Sequence, residues 1–213
     1  MTLQNRVDPC GNLIANPSKH AVLMGNRGVL HNTERQIIRK WKFKAWITCL
    51  TQFKGNKRVI FAPNHYSELF FLDEATAFAA GHRPCAECQR QRSHQFKIMW
   101  LETNPTNKKI KLSEIDEQLH LERIDQDQNK LTFQAMIKDL PIGTCIEYMN
   151  DFVMIFAEQH YLLWSFDGYK NKIEIDAESI VNVITPKSIV NIFKHGFIPH
   201  FHPSAQKIVC NDQ

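Results

Sequence analysis

Two closely spaced cysteines constrain this chain more than any other feature. Cys85 and Cys88 form a Cys-x-x-Cys pair that follows the dipeptide Arg83-Pro84. A turn this short aims both sulfur atoms the same way, so that both can bind one metal ion, and zinc is the usual ion in such sites. Six cysteines spread unevenly over 213 residues do not make a disulfide framework, so we expect reduced thiols. The pair predicts a zinc site.

The segments on either side of the pair predict two helices. Asp73 suits an N-cap, residues 75–80 are mostly alanine, and Gly81 is a typical helix end. After the cysteines, residues 89–102 carry apolar side chains at helical spacing until the Asn104-Pro105 dipeptide, which is incompatible with a continuing helix. The cysteine pair should therefore lie at the junction of two helices.

A third ligand is predicted upstream of the first helix. Apolar and polar residues alternate over residues 41–53, which is typical of a half-buried strand, and Cys49 falls on its inward side. Gly55-Asn56 is a turn signal before residues 58–62, so we expect a hairpin. Cys49 is either a metal ligand or a small apolar core residue, as most buried free cysteines are.

The fourth ligand is less constrained by the sequence. His202 is the preferred candidate, because His195, His200 and His202 place three imidazoles within eight residues. Eight other histidines and cysteines fit ordinary surface or core roles better. The histidines considered and set below His202 are His31, His65, His82, His94 and His200, and the cysteines left out are Cys10, Cys145 and Cys210.

The second half of the chain predicts a different architecture. Residues 113–123 suit a helix, and four alternating segments between residues 145 and 175, separated by turn dipeptides, are typical of an antiparallel β-meander. Thr185 and Pro186 predict the start of a C-terminal helix, and Gly196 predicts its end. We therefore predict an α+β fold in one compact unit. Residues 1–105 form a zinc-stapled half with the helices and the hairpin, and residues 106–213 form a half with the meander and the last helix.

The distribution of charge favours an anionic partner. The net charge is only +4, but cations alternate with aromatic rings between residues 35 and 58, as on many nucleic-acid surfaces. A plain solvated strand face is the alternative. The candidate phosphate contacts are Arg27, Lys42, Lys44, Arg83, Arg90 and Arg92. The chain has no apolar run of about 20 residues, so we expect no membrane span and a cytoplasmic protein.

Residues 71–90 resemble the zinc-binding module of the bacterial adaptive-response protein family, Ada. In both, a short helix ends in Ala-Gly before Arg-Pro and a Cys-x-x-Cys pair. In that family four cysteines bind zinc, and the first of an upstream Cys-x3-Cys pair accepts a methyl group from a DNA methylphosphotriester. The resemblance implies a zinc-binding, DNA-contacting protein in which Cys49 has the place of the acceptor. The second upstream cysteine is replaced by Phe53.

These observations lead to one functional hypothesis and three alternatives. The favoured hypothesis is a non-enzymatic zinc-binding protein that contacts nucleic acid. The first alternative is an alkyl acceptor that uses Cys49 as its catalytic nucleophile. The second is a hydrolase in which three protein ligands leave a position on zinc for water. The third is a zinc-stapled scaffold for a protein partner.

Overall fold

The computed structural model describes residues 2–55, 59–104 and 109–211, without the side chain of residue 211. This part of the chain forms two six-stranded sheets and five α-helices, which confirms the α+β class. The strands are β1 (Gln4–Val7), β2 (Leu13–Ala15), β3 (Leu23–Asn26), β4 (Ile47–Leu50), β5 (Leu69–Phe71), β6 (Arg83–Pro84), β7 (Phe133–Met136), β8 (Cys145–Tyr148), β9 (Asp151–Ala157), β10 (His160–Leu163), β11 (Lys172–Ile173) and β12 (Ile180–Val183). The helices are α1 (Glu74–Ala79), α2 (Arg90–Thr103), α3 (Leu112–Arg123), α4 (Lys187–Lys194) and α5 (Pro203–Asn211).

The first sheet contains strands β1 to β6 in the order β2-β1-β5-β3-β4-β6. Strand β4 pairs antiparallel with β3 and parallel with β6. The sequence predicts a strand over residues 41–53, but in the structure only Ile47–Leu50 form one. Residues 42 and 43 are held in a loop because both of their backbone N–H groups donate to the carbonyl of Arg27.

The predicted hairpin after β4 is wrong. Residues 56–58 lie outside the described part of the chain, and residues 59–62 form no strand. Phe61 has a left-handed φ of 57°, its side chain is buried against the His31 ring, and its N–H donates to the carboxylate of Glu68. This local anchoring turns the segment away from β4, so that β3 and β6 become the neighbours of β4.

The second sheet contains strands β7 to β12 in the order β11-β10-β9-β8-β12-β7, and every pairing is antiparallel. The four consecutive strands β8 to β11 are the predicted meander. Ile146 and Val153 of the meander are fully buried and form a cluster with Val183 of β12 and Val190 of α4. The alternation of the sequence thus correctly identified the strands of the meander.

Helix α1 lies in the centre of the molecule. All six of its residues are buried, and Asp73 caps it as predicted, accepting from the N–H of Thr76 at 2.8 Å. Ala75 and Ala79 pack against Cys145 and Met154, beside the second sheet. Alanine makes this helix thin enough to be enclosed on all sides.

The other helices agree with the sequence in place but not in every detail. Helices α2, α3 and α4 match the predicted segments within one or two residues. Thr185 does not cap α4, because its hydroxyl accepts from the N–H of Cys145 at 2.9 Å. Helix α5 was not predicted. No helix in the described ranges is long and apolar enough to cross a membrane.

Candidate metal centre

Three cysteines that are distant in sequence lie together at the edge of the first sheet. The sulfur atoms of Cys49, Cys85 and Cys88 all lie within 4.8 Å of one another. Cys49 is 8% exposed, whereas Cys85 and Cys88 are half-buried. The three thiols therefore form a group that is closed on the Cys49 side and open to solvent on the side of the Cys-x-x-Cys turn.

Parallel pairing of β4 with β6 brings the thiols together. Ile47 lies opposite Arg83, and Thr48 lies opposite Pro84. The pairing extends one step further, because the N–H of Cys85 donates to the carbonyl of Thr48 at 2.9 Å. Pro84 cannot donate a backbone hydrogen bond, but it is tolerated here because β6 is the edge strand of the sheet.

The turn that carries Cys85 and Cys88 is held at both ends. The N–H of Gln89 donates to the carbonyl of Cys85 at 3.1 Å and closes the turn. The side-chain amide of Gln89 donates to the carbonyl of Thr48 at 2.8 Å and so ties the turn back to β4. The role of Gln89 could not be predicted from the sequence, since a glutamine after a cysteine carries no recognisable signal.

Arg83 anchors the approach to the turn from the opposite side. Its guanidinium forms two hydrogen bonds of 2.7 Å with the carboxylate of Asp116 on α3. Both side chains are less than 10% exposed. The bidentate pair fixes β6, and with it the position of Cys85, against α3.

The arrangement suits a thiophilic metal ion. In a tetrahedral site with Zn–S bonds of about 2.3 Å, neighbouring sulfur atoms lie about 3.8 Å apart. The observed separations of at most 4.8 Å need only a small contraction to reach that value. Three soft sulfur donors also favour zinc over magnesium or calcium, which prefer oxygen.

The protonation of the three thiols is unequal. The thiol of Cys49 donates a hydrogen bond to Cys85, and the N–H groups of Cys88 and Glu87 also point at this sulfur, so the pKa of Cys85 falls to about 5 despite partial burial. The same bond to Cys85, together with burial, raises the pKa of Cys49. Burial raises the pKa of Cys88. At neutral pH the group therefore contains one thiolate and two thiols.

The described part of the chain offers no fourth ligand. No histidine or carboxylate there joins the three sulfur atoms within 4.8 Å. His202 lies elsewhere, with its Nδ1 at 2.9 Å from the hydroxyl of Ser204 and its N–H donating to Asp73. His82 is fully buried and accepts from Arg27 through Nε2. A metal ion bound here would have three protein ligands and one open position.

The predicted phosphate contacts fall into two groups. Arg27 and Arg83 are buried, and Arg92 forms a bidentate pair with Glu74 while its side chain is only 15% exposed. Arg90, Lys42 and Lys44 are exposed, although Lys44 also forms an ion pair with Glu117. Only the second group is free to meet a large anionic partner.

An open groove of about 470 Å³ begins at the metal centre. Its walls include Cys88, Arg90, Arg92 and His200. The groove is the natural path by which a ligand or substrate would approach the open side of the three thiols.

Comparisons of the chain with protein-family models, with curated protein sequences and with solved structures give no significant match.

Proposed function

We propose that this chain is a zinc-binding protein that holds one Zn²⁺ through Cys49, Cys85 and Cys88 and contacts nucleic acid beside that ion. The observation that carries the first part is the convergence within 4.8 Å of three thiols, one from β4 and two from the turn that follows β6. Three cysteines rarely meet at one point by chance, and the supporting bonds of Gln89 and Arg83 hold the ligands in place.

The second part rests on the exposed cations. Arg90 lines the groove that begins at Cys88, and Lys42 and Lys44 extend from the loop before β4. Cations of this kind attract phosphate groups without sequence preference. A DNA or RNA backbone in the groove would also come close to the open side of the thiols, as the resemblance to the Ada family implies.

The alternative functions receive less support. An alkyl acceptor needs an accessible sulfur, but Cys49 is only 8% exposed. A hydrolase needs a general base near the metal. Glu68 and Asp73 are committed to backbone N–H groups, and Glu87 faces Lys54. The favoured role of the ion is therefore to stabilise the site rather than to react.

Metal content tests the first part. Elemental analysis should find one zinc per wild-type chain, and Cys49→Ser, Cys85→Ser and Cys88→Ser should each lose most of it. Cys210→Ser is the matched control, because Cys210 is exposed and distant from the three thiols in the fold. A metal-free wild-type chain, or full zinc content in all three variants, would contradict the proposal.

Salt-dependent binding tests the second part. The affinity for a fluorescent oligonucleotide should fall steeply as salt increases, and Arg90→Gln and Lys42→Gln should each reduce the slope of log K against log salt by about 1. Lys138→Gln is the control, because Lys138 is an exposed lysine paired with Glu178 in the second half of the chain. No binding at low salt, or equal losses in all three variants, would refute the contact surface.

A further inference from the structure

A second site lies apart from the three thiols, between residues of both halves of the chain. A cavity of about 190 Å³ is lined by Arg27, Lys40 and Lys130 together with the indole rings of Trp41 and Trp46. None of the metal-centre cysteines lines it. Three cations around one small cavity are unusual, because like charges repel each other and because burial is costly for a cation such as Arg27.

The chain does not neutralise these charges. Within the described ranges, none of the three cations forms a salt bridge, and each has a backbone carbonyl as a partner. The bonds are those of Arg27 to Gly11 at 2.9 Å and to Lys40 at 3.4 Å, of Lys40 to Gln128 at 3.0 Å, and of Lys130 to Ala79 at 2.5 Å. Carbonyl groups hold the cations in position but leave their net charge uncompensated.

Arg27 is the most informative of the three cations. It is 1% exposed, and its other hydrogen bond goes from Nε to the neutral ring of His82. A guanidinium has five N–H donors, and the bonds to protein partners use three of them. Gly11 permits the close approach, because a side chain at that position would begin 3.3 Å from the guanidinium. The fold thus keeps a buried cation with donors to spare.

Two tryptophans beside the cavity have buried indole N–H groups. Trp46 is 3% exposed, and its Nε1 is buried with no hydrogen-bond partner among the described residues. The Nε1 of Trp41 is also buried and without a partner in that part of the chain. Each unpaired N–H costs free energy unless a ligand accepts from it.

Trp46 is not available for stacking against a ligand. The guanidinium carbons of Arg27 and Arg123 lie 3.7 and 3.9 Å from its ring centroid. Two guanidinium groups this close to one centroid would overlap on the same face, so they cover opposite faces. Trp46 can therefore line the cavity only with an edge of its ring.

The nearby acidic charge is too small to balance the cations. Asp8 is buried close to Arg27 and Lys130, and both of its oxygens accept from Asn12. Burial lowers the pKa of Lys130 to about 8 and that of Arg27 to about 9, which leaves both protonated at neutral pH. The carboxylate of Asp125 also interacts with Lys40. The three lining cations less these two carboxylates leave an excess of one positive charge.

We propose that this cavity binds a small phosphate monoester. Such a group carries about 1.5 to 2 negative charges at pH 7, which offset the excess positive charge. Its three oxygens can accept from the unused N–H donors of Arg27 and from the ammonium groups of Lys40 and Lys130. A nucleobase is a poorer match, because both faces of Trp46 are covered. The site is independent of the zinc and nucleic-acid proposals.

The test uses glycerol 3-phosphate as the ligand and glycerol as its uncharged control. In ¹H–¹⁵N spectra of the full chain, saturating ligand should shift the indole signals of Trp41 and Trp46, assigned with Trp→Phe variants. The indole signal of Trp164 should stay in place, because its N–H already donates to Thr76. Glycerol should shift none of them.

Three variants locate the contact. Lys40→Gln and Lys130→Met should each weaken binding at least about tenfold, whereas Lys42→Gln should change it less than about twofold. Lys40 and Lys42 are both exposed, so these two variants should fold alike, but only Lys40 lines the cavity. No shift of either indole up to about 10 mM ligand, or equal binding by Lys40→Gln and wild type, would overturn the proposal.

Discussion

Removing the carboxylate of Asp116 should be one of the most damaging single changes on the surface between β6 and α3. Asp116 and Arg83 form two hydrogen bonds of 2.7 Å, and both side chains are almost fully enclosed. In Asp116→Leu the guanidinium of Arg83 stays buried without its partner. Breaking a buried pair in this way costs about 3–5 kcal/mol, because the remaining charge is uncompensated.

A double variant separates the cost of the unpaired charge from the value of the pair itself. In Arg83→Met/Asp116→Leu neither charge of the pair remains, and two apolar side chains of similar size fill the space. The free energy of unfolding of the double variant should lie within about 1 kcal/mol of wild type. The exposed pair of Lys138 and Glu178 is the matched control, and Glu178→Leu should cost less than about 1 kcal/mol.

Urea denaturation at pH 7, followed by circular dichroism, measures all four free energies. The reasoning is refuted if Asp116→Leu costs less than about 1 kcal/mol, or if the double variant is as unstable as the single one. Because Arg83 precedes Pro84 and Cys85 in β6, Asp116→Leu should also hold zinc more weakly than the double variant does.

Three other perturbations have defined outcomes. Gly81→Ala should lower the free energy of unfolding by about 2–5 kcal/mol, since φ at Gly81 is 79° and the new Cβ would lie 2.6 Å from the Arg123 side chain. The control is Gly196→Ala, which also has a positive φ but places its Cβ in open space and should cost only about 1–2 kcal/mol. Urea titrations measure both. Burial and nearby arginines lower the pKa of His82 in the folded chain. At pH values between this lowered pKa and about 6.5, the imidazole is therefore protonated only in the unfolded chain. Stability should therefore fall as the pH drops below about 6.5, and this loss, read from urea midpoints, should be smaller in His82→Gln. Binding of Zn²⁺ at pH 7 should release about two protons, because two of the three thiols have a raised pKa. Calorimetry in buffers of different ionisation enthalpy counts the released protons, and a count of zero or three would contradict this prediction.

The sequence was most informative where structure depends on neighbouring residues. Helix α1 could be predicted because Asp73 and Gly81 lie at its two ends and act on residues within one helical turn. The meander follows from alternation and short turns, since each strand pairs with the next one along the chain. The partners of β4 could not be found in this way. Its neighbours β3 and β6 are more than 20 residues away in each direction, and no local pattern encodes such a choice.

The candidate site shows the same division. Spacing alone identified Cys85 and Cys88, and inward alternation identified Cys49, although the hairpin in which it was placed does not exist. The charged residues were harder to place. A sequence shows that Arg27 is a cation, but its burial depends on Gly11 and Trp46, which reach it only through the tertiary fold.

The parallel pairing of β4 with β6 makes the thiol group a cross-link between distant parts of the chain. Cys49 and Cys85 are 36 positions apart, and the segment between them includes β5 and all of α1. The folded chain alone holds the three sulfur atoms together, so the free energy of binding the proposed ion would add to the free energy of unfolding. Chelators should then loosen the central helix together with the sheet edge.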